Sequence, residues 1–588
     1  MFTAPVKDLD FALHRVLDAG ALSGTPKFTE YSEEVGAAVL EQAGRFANEV
    51  LEPLNAVGDR AGAKLEPSGV ITPAGFRDAY QEYVDNGWPQ LAIDTDVGGQ
   101  GMPLVLATAA QEVWFGANTA FMLCPMLTNG AVDALRIAGT EDLKARFLPE
   151  LVAGKHTGTM NLTESNAGSD LAAIRTSAVK SGDHYLVHGQ KIFITYGDHD
   201  LAENIIHLVL ARIDGAPAGV KGISLFVVPK LLKHADGSLH TNDLRCVSLE
   251  HKLGIHASPT CVMSFGDKDG AVGYLVGEEH HGLEYMFIMM NSARLSVGVQ
   301  GIGLSERALQ QAGAWAQSRI QGRVVGASAD KPLSIDHHPD VSRMLLTIRS
   351  GVDAMRLLAL YAALQMDRAQ ALSDAAQQSR ALQRAELLIP IVKAWSTERV
   401  NELTSLGIQI HGGMGYIEET GVAQTFRDAR ITAIYEGTTG IQANDLLGRK
   451  LLRDHGATMH RLIDEARQET ELLHHEVNVE SIQQALRSLH DATETIMIQL
   501  STAPATAYAV SVPYLMLCGY TLGGWLLARS AHIAAHELAN DGVDVNFMNT
   551  KVQNFRFYSA HCLPLVTALT EIVKQGGHSV VSTIEDAI

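Results

Sequence analysis

The feature that most limits what this chain can fold into is a change of hydrophobic pattern after about Gly158. The runs His184–Thr195, Ile205–Ile213 and Gly222–Pro229 are short, rich in β-branched and aromatic residues, and punctuated by Gly and Asp/Asn. Such runs read as strands, so a β-domain is expected to extend to about Val276. On either side the period is helical. Val35, Val39, Ala43, Phe46 and Val50 recur at helical spacing until Pro53 stops them, and the first ~150 residues read as helices. From Gly282 to about Leu452 the segments are long and Ala/Leu-rich, with Gly322–Pro339 as a loop between two of them. Thr458–Ile588 is again mostly helical, and its charged start (Arg461–Glu480) suits a linker and an exposed first helix. The chain is therefore expected to be mainly α with a central β-domain. Its expected parts are an N-terminal helical domain with extension (1–157), a middle β-domain (158–280), a helical bundle (281–455) and an additional C-terminal helical domain (456–588). At 588 residues, each part can bury its own core.

Charge and cysteine content remove several classes of function. Lys and Arg number 46 against 66 Asp and Glu, a formal charge of −20, and an acidic surface repels nucleic acid. The five cysteines are odd in number and form no CxxC pair, so neither a disulfide framework nor a Cys-based zinc site is expected, in keeping with a reducing cytoplasm. No metal site is expected elsewhere. His474-His475-Glu476 is not HExxH, and Asp198-His199-Asp200 is too compressed for a usual ligand set. Met1–Ala12 carries Asp8 and Asp10 and lacks a signal-peptide pattern. Thr495–Ala528 has no formal charge and is long enough to span a bilayer. Pro504, Pro513, Gly519, Gly523 and Gly524 are expected to break it into pieces shorter than the ~20 residues needed, with Tyr514–Ala528 as a buried helix and no integral membrane association.

Candidate chemistry lies in motifs that are individually weak. Gly298, Gly301 and Gly303 have the wrong order for GxGxxG and fall inside a helical run, which suits close helix packing. The glycines of His411–Gly415 end a helix and expose backbone N–H groups that a phosphate or flavin could approach. Asn161–Leu171 is an acid- and hydroxyl-rich loop entering the β-domain, and Gln190–Gly197 follows it. Ile434-Tyr-Glu-Gly-Thr438 comes after the glycine cluster. A lone Glu in a loop is ordinarily a solvated acid. Glu436, between an aromatic and a glycine, is a carboxylate that burial could desolvate and so raise in pKa.

Taken together, in this order and spacing, these strings resemble the acyl-CoA dehydrogenases over roughly Gly36 to Leu452, and Arg319–Gly322 and Gln409–Gly413 extend the match. Met286–Gly301 and Ile434–Lys450 look like the larger bacterial subgroup, which carries an extra C-terminal helical domain and includes 3-methylmercaptopropionyl-CoA and long-chain acyl-CoA dehydrogenases. The resemblance implies the family fold and FAD as cofactor. It also implies conversion of an acyl-CoA to a trans-2-enoyl-CoA, with the α-proton taken by Glu436 and the β-hydride accepted at flavin N5. Met160, Leu162, Thr163 and Ser169 match the loop that contacts the flavin, with Ser169 also near CoA. Phe193, where relatives often have Trp, and Thr195 match the pair beside the isoalloxazine ring. Arg319 and Gln321 match groups reaching a neighbouring subunit's FAD, and Gln409, Gly412 and Gly413 match the adenosine end of that FAD. Thr438 matches a diphosphate contact, while Gly440 stands where several relatives have Gln. Asn291 and Arg294 match an Asp/Arg pair that helps hold substrate, and the resemblance implies that Gly437 also binds substrate. A homodimer and electron-transfer flavoprotein as electron acceptor follow from the same likeness. The competing readings are an acyl-CoA oxidase, a flavin monooxygenase with no need of the Glu, and a non-catalytic acyl-CoA-binding or assembly protein. Intact Glu436, Thr163, Ser169 and Arg319 speak against the last.

Overall fold

The computed structural model describes residues 2–233, 236–325, 333–473 and 478–587, with side chains as far as residue 583. It separates into two compact units, one of Phe46–Met102 with Asn118–Ala293 and the other of Met1–Arg45, Pro103–Ala117 and Arg294–Ile588.

The first unit holds an eight-stranded sheet. Its strands are β1 (His156–Asn161), β2 (Ser177–Ser181), β3 (His184–Thr195), β4 (Asn204–Ile213), β5 (Ile223–Pro229), β6 (Leu244–Leu249), β7 (Thr260–Phe265) and β8 (Ala271–Leu275). They run in the order β6-β7-β3-β8-β5-β4-β1, and β2 pairs with β3 and β4. β4 pairs parallel with β1 and antiparallel with β5. Both β4 and β5 are buried along nearly their whole length, which is why neither alternates in sequence. β3 buries Tyr185 and Val187 among less buried neighbours, and Tyr185 packs on Phe226 with ring centroids 5.0 Å apart. One element departs from the helical reading of the first ~150 residues: Lys64–Glu66 and Gly69–Ile71 form a hairpin. Three-residue strands carry no readable period. The hairpin is held from outside, the Val70 N–H donating to the Asp198 carboxylate at 3.1 Å.

The second unit is helical. Its long helices are α1 (Leu104–Ala138), of which this unit holds the part up to Ala117, α2 (Gly282–Ser318), which enters it at Arg294, α3 (Pro339–Ala371) and α4 (Ala375–His411). They are followed by the short α5 (Thr439–Asp445). The rest comprises α6 (Ala457–Glu471), α7 (Val479–Thr502), α8 (Ser511–Glu537), α9 (Val545–His561) and α10 (Pro564–Ala587). Asp374 caps α4 by accepting the Gln377 N–H at 2.7 Å, and Gly412 at φ +63° ends it. The expected linker after Arg461 is instead part of α6, whose Met459, Leu462, Ile463 and Ala466 are buried.

The expectation that glycines would interrupt the uncharged segment is corrected. Pro504 does begin a separate short helix, Pro504–Ala509, but α8 runs unbroken for 27 residues through Gly519, Gly523 and Gly524. These glycines serve packing. A Cβ on Gly519 would lie 2.2 Å from Trp395 Cγ, and one on Gly523 would lie 2.6 Å from its Cη2. By length and composition α8 could cross a membrane, yet 83% of its most apolar window is buried within the protein. Trp525 on α8 is itself buried and donates to Glu469 at 3.0 Å.

A buried guanidinium joins several of these helices. Arg356, 2% exposed, donates to Glu112 at 2.6 and 2.8 Å, to Glu306 at 2.9 Å and to Asp353 at 3.1 Å. Asp353 in turn accepts from Lys551 at 3.0 Å and Asn554 at 2.6 Å, and Lys551 also reaches Asp8 at 2.5 Å. Arg356→Met would leave Glu112 and Glu306 buried without their cation, while Asp353 would keep only Lys551. The expected loss is about 3–5 kcal/mol in denaturant unfolding. A loss below ~1 kcal/mol would show that the cluster is not what joins these helices.

Candidate functional site

The carboxylate singled out in sequence sits on a strained turn. Glu436 has φ +57° and the following Gly437 φ +89°, so two successive residues are left-handed just before α5. For a residue with a side chain this conformation costs roughly 1–2 kcal/mol and persists only where neighbours enforce it. Here they do. Gln442 Nε2 donates to the Glu436 carbonyl at 3.0 Å, and Lys393 Nζ donates to the Gly437 carbonyl at 2.7 Å. The Tyr435 hydroxyl donates to Gln300 Oε1, and the Thr439 hydroxyl donates to the Glu398 carboxylate. Thr438 caps α5, its Oγ1 accepting the Ile441 N–H at 3.4 Å. Gly440 is the second residue of α5, where a Cβ would meet only Thr438 Oγ1 at 3.9 Å.

The electrostatics single out the same residue. Burial raises the Glu436 carboxyl to about 7, against the opposing pull of the Lys393 and Arg294 charges. This is the desolvation that its position between Tyr435 and Gly437 suggested. Burial pushes Lys393 down to about 8, with Glu436 the main opposing influence. Arg294 is buried and donates to Asp445 at 3.0 Å. Asn291, three residues before it on α2, is half-buried. A carboxyl near 7 is divided between its two forms at neutral pH, the condition in which a general base works best.

A second group gathers at two helix ends of the helical unit. Trp315 near the end of α2 stacks on His411 at the end of α4, with ring centroids 5.1 Å apart. Arg319 and Gln321 follow the first of these helix ends and Gln409, Gly412 and Gly413 lie at the second, and all five are exposed. A Cβ at Gly413 would meet nothing in the chain. The glycine therefore leaves open backbone that an outside group could approach.

The third group lies in the β-unit. Met160 and Thr163 are half-buried, Leu162 is buried and Ser169 is exposed. This loop is fastened to β3 from beneath. Lys191, fully buried, donates to the Leu162 carbonyl at 3.0 Å and to Glu164 at 2.8 Å, and the Ile192 N–H donates to the Thr163 carbonyl at 2.9 Å. Glu164 also accepts from Arg175 N at 2.6 Å and the Thr176 hydroxyl at 2.6 Å. Directly after this anchor the β3–β7 register slips, and there Phe193 has φ +61° and is 58% exposed, while Thr195 is half-buried. A left-handed aromatic on a bulge is a ring deliberately turned outward. Lys191→Met should release the loop, leaving Glu164 buried without its cation. The expected result is purified protein with less than half the bound flavin chromophore, read from its visible absorbance. Full occupancy would refute the anchoring role.

Several of these residues escaped the sequence. Lys393, Gln442 and Lys191 are polar residues inside regular elements, and only the fold shows what they face. Among the excluded metal candidates, Asp198 and Asp200 hold backbone N–H groups of Val70 and Thr72, and His199 meets the Thr157 hydroxyl at 2.9 Å. His474-His475-Glu476 lies outside the described residues. The ligand atoms of His460, His490 and Glu494 come within 4.8 Å of one another on α6 and α7, where His460 and Glu494 pair at 2.8 Å.

Four family models match consecutive parts of the chain. They are the acyl-CoA dehydrogenase N-terminal domain (residues 34–155), middle domain (159–268) and C-terminal domain (280–451), and the acetyl-CoA dehydrogenase C-terminal-like domain (457–583). The chain is 47% identical over 588 residues to 3-methylmercaptopropionyl-CoA dehydrogenase of Ruegeria pomeroyi, covering 99% of each protein. It is 32% identical to the broad-specificity linear acyl-CoA dehydrogenase FadE5 of Mycobacterium tuberculosis, covering 97% of each. Among solved structures, an acyl-CoA dehydrogenase complexed with FAD from Bacillus anthracis has the same fold, with a TM-score of 0.74 at 19% identity over 100% of this chain and 95% of that one.

Proposed function

We propose a reaction and its base for this chain, which belongs to the acyl-CoA dehydrogenase family and is accordingly an FAD-dependent oxidoreductase. The reaction is α,β-dehydrogenation of an acyl-CoA thioester to a trans-2-enoyl-CoA, and Glu436 removes the α-proton. The observation that carries this reading is the left-handed, pinned Glu436 with its carboxyl raised to about 7.

The α-C–H of a thioester is a weak acid, so the base must be matched by stabilisation of the developing enolate oxygen. The Glu436 N–H has no acceptor among the described residues. It is free to donate to that oxygen, and one such donor is worth about 3–4 kcal/mol. Gly437 has no side chain to crowd the same place, and Arg294 with Asn291 would help hold the substrate. FAD, when bound, supplies the two-electron acceptor that the amino acids lack. The residues fit that cofactor. Phe193 presents an exposed ring beside Thr195, and Met160, Leu162, Thr163 and Ser169 belong to a loop tied to the same strand. Thr438 and Gly440 would meet the diphosphate.

The exposed set of Arg319, Gln321, Gln409, Gly412 and Gly413 supports a homodimer in which each chain completes its neighbour's FAD site. A cytoplasmic enzyme passing electrons to electron-transfer flavoprotein completes the reading, with the four domains divided at residues 157, 280 and 455. The end-to-end likeness to the Ruegeria enzyme supports 3-methylmercaptopropionyl-CoA as the substrate to test first, and linear acyl-CoAs come second.

Glu436→Gln tests the base. It keeps the shape and removes the basic lone pair, so FAD content should be unchanged while turnover falls roughly 10²–10⁴-fold. Turnover within about tenfold of wild type would place the base elsewhere. In the wild-type enzyme the carboxylate is the active form, so kcat should rise with pH through about 7 and fall below it. A flat profile from pH 6 to 8 would count against Glu436. Anaerobic bleaching of the flavin by acyl-CoA distinguishes the enzyme from a binding protein on the same fold, and oxygen uptake distinguishes an oxidase.

A further inference from the structure

We infer that Lys393 is the positioning residue for the proposed base: it holds the Gly437 carbonyl next to Glu436, fixing the left-handed turn and favouring the charged form of the carboxylate for proton removal. The inference rests on the reading of Glu436 as the base.

A lysine with no exposed surface is rare unless its charge is answered. The hydrogen bond Lys393 makes is to a neutral carbonyl, at 2.7 Å, on the residue after Glu436. A structural ion pair would have placed a carboxylate there. Gln442 takes the preceding carbonyl at 3.0 Å, so the peptide planes following Glu436 and Gly437 each have a donor. The geometry thus fixes how the carboxylate is presented.

The charge balance around the turn assigns the second part of the role. From α2 comes Arg294, already paired with Asp445 of α5 at 3.0 Å. From α4 come Lys393 and Glu398, and the Glu398 carboxylate accepts the Thr439 hydroxyl. The turn itself adds Tyr435, whose hydroxyl burial holds in the neutral form. Glu398 also favours the charged form of Lys393 from a distance, but among the described residues Lys393 makes no ion pair, unlike Arg294. An opposite charge close to a carboxylate favours ionisation, so removing it should move Glu436 further up.

The test uses the FAD-loaded enzyme with Lys393→Met, Lys393→Gln and Lys393→Arg, and with Glu436→Gln alongside. FAD content, anaerobic flavin reduction by acyl-CoA, kcat, KM and the pH profile are measured. Lys393→Met should keep FAD and KM near wild type and move the rising limb of kcat upward by about one pH unit. Starting from about 7, that shift alone lowers the ionised fraction at pH 7 about fivefold, and raising the pH should recover it. Lys393→Arg should keep the limb near its original place. An unmoved limb in Lys393→Met would overturn the inference even if kcat fell, since loss of packing alone does not displace a titration. Should Lys393→Met fail to fold, Lys393→Gln decides on the same criterion. Activity surviving in Glu436→Gln would remove the base and this inference with it. An inactive Glu436→Gln beside an unmoved Lys393→Met limb would remove only the role of Lys393.

Discussion

A guanidinium shut away from water has to be neutralised where it stands, and the helical unit is arranged around that demand at Arg356. Its partners come from different parts of the chain: Glu112 on α1, Glu306 on α2 and Asp353 on α3 itself. Asp353 then draws in Lys551 on α9, and Lys551 draws in Asp8 near the start of the chain. Each buried ion carries a desolvation penalty of several kcal/mol, so the arrangement is stable only when all members are present. The directions of their pKa values record this. Arg356 is pushed up by its acids despite burial, whereas Asp353, with two cations, is held below the usual carboxylate range. Glu112 is shifted the other way, because burial outweighs its share of Arg356. Network and apolar packing together make one body of helices whose sequence separations are large.

The same physics gives the opposite result at Glu436. There burial outweighs the cations: Arg294 is shared with Asp445, and Lys393 gives its hydrogen bond to a carbonyl and acts on the carboxylate only through its field. Asp353 is thereby a fixed anion and Glu436 a titratable one, though both belong to one helical unit. The distinction lies in how completely each charge is answered.

How much of this could be read from the sequence depended on whether the signal was local. The alternation of helical and strand character needs only neighbouring residues, and it located the sheet within about ten residues. Glu436 was legible because Tyr435 and Gly437 flank it, and because four other motifs stood in a recognisable order. Lys393 was not, because a lysine inside a long helix ordinarily faces water and nothing nearby in sequence says otherwise. The glycines of α8 misled for a related reason. Their propensity cost of about 1 kcal/mol each argues for a break, but that cost is offset by the close seating of Trp395, a residue more than a hundred positions away. The hairpin at Lys64–Ile71 was missed because its strands are too short to show a period and are held by a distant aspartate.

Backbone strain links the two halves of the proposed chemistry. Among the described residues, few non-glycine positions are left-handed, and they include both Phe193 and Glu436. Neither has a residue type that favours this conformation, so each must be enforced from outside. Close to each in sequence or space is a group of the same kind: a fully buried lysine donating to a backbone carbonyl of the adjoining loop. Lys191 holds the Leu162 carbonyl below Phe193, and Lys393 holds the Gly437 carbonyl beside Glu436. An ammonium suits this work because it has three donors and a long stem that can reach a carbonyl from within a packed element. The lysines differ in what answers their charge. Lys191 has Glu164 at 2.8 Å and is a closed structural pair. Lys393 has a carbonyl as its hydrogen-bond acceptor, so its field remains available to the carboxylate next to it. One lysine therefore ties a loop to the strand that carries Phe193, and the other pins the turn that carries Glu436 and offsets part of the rise that burial imposes on it.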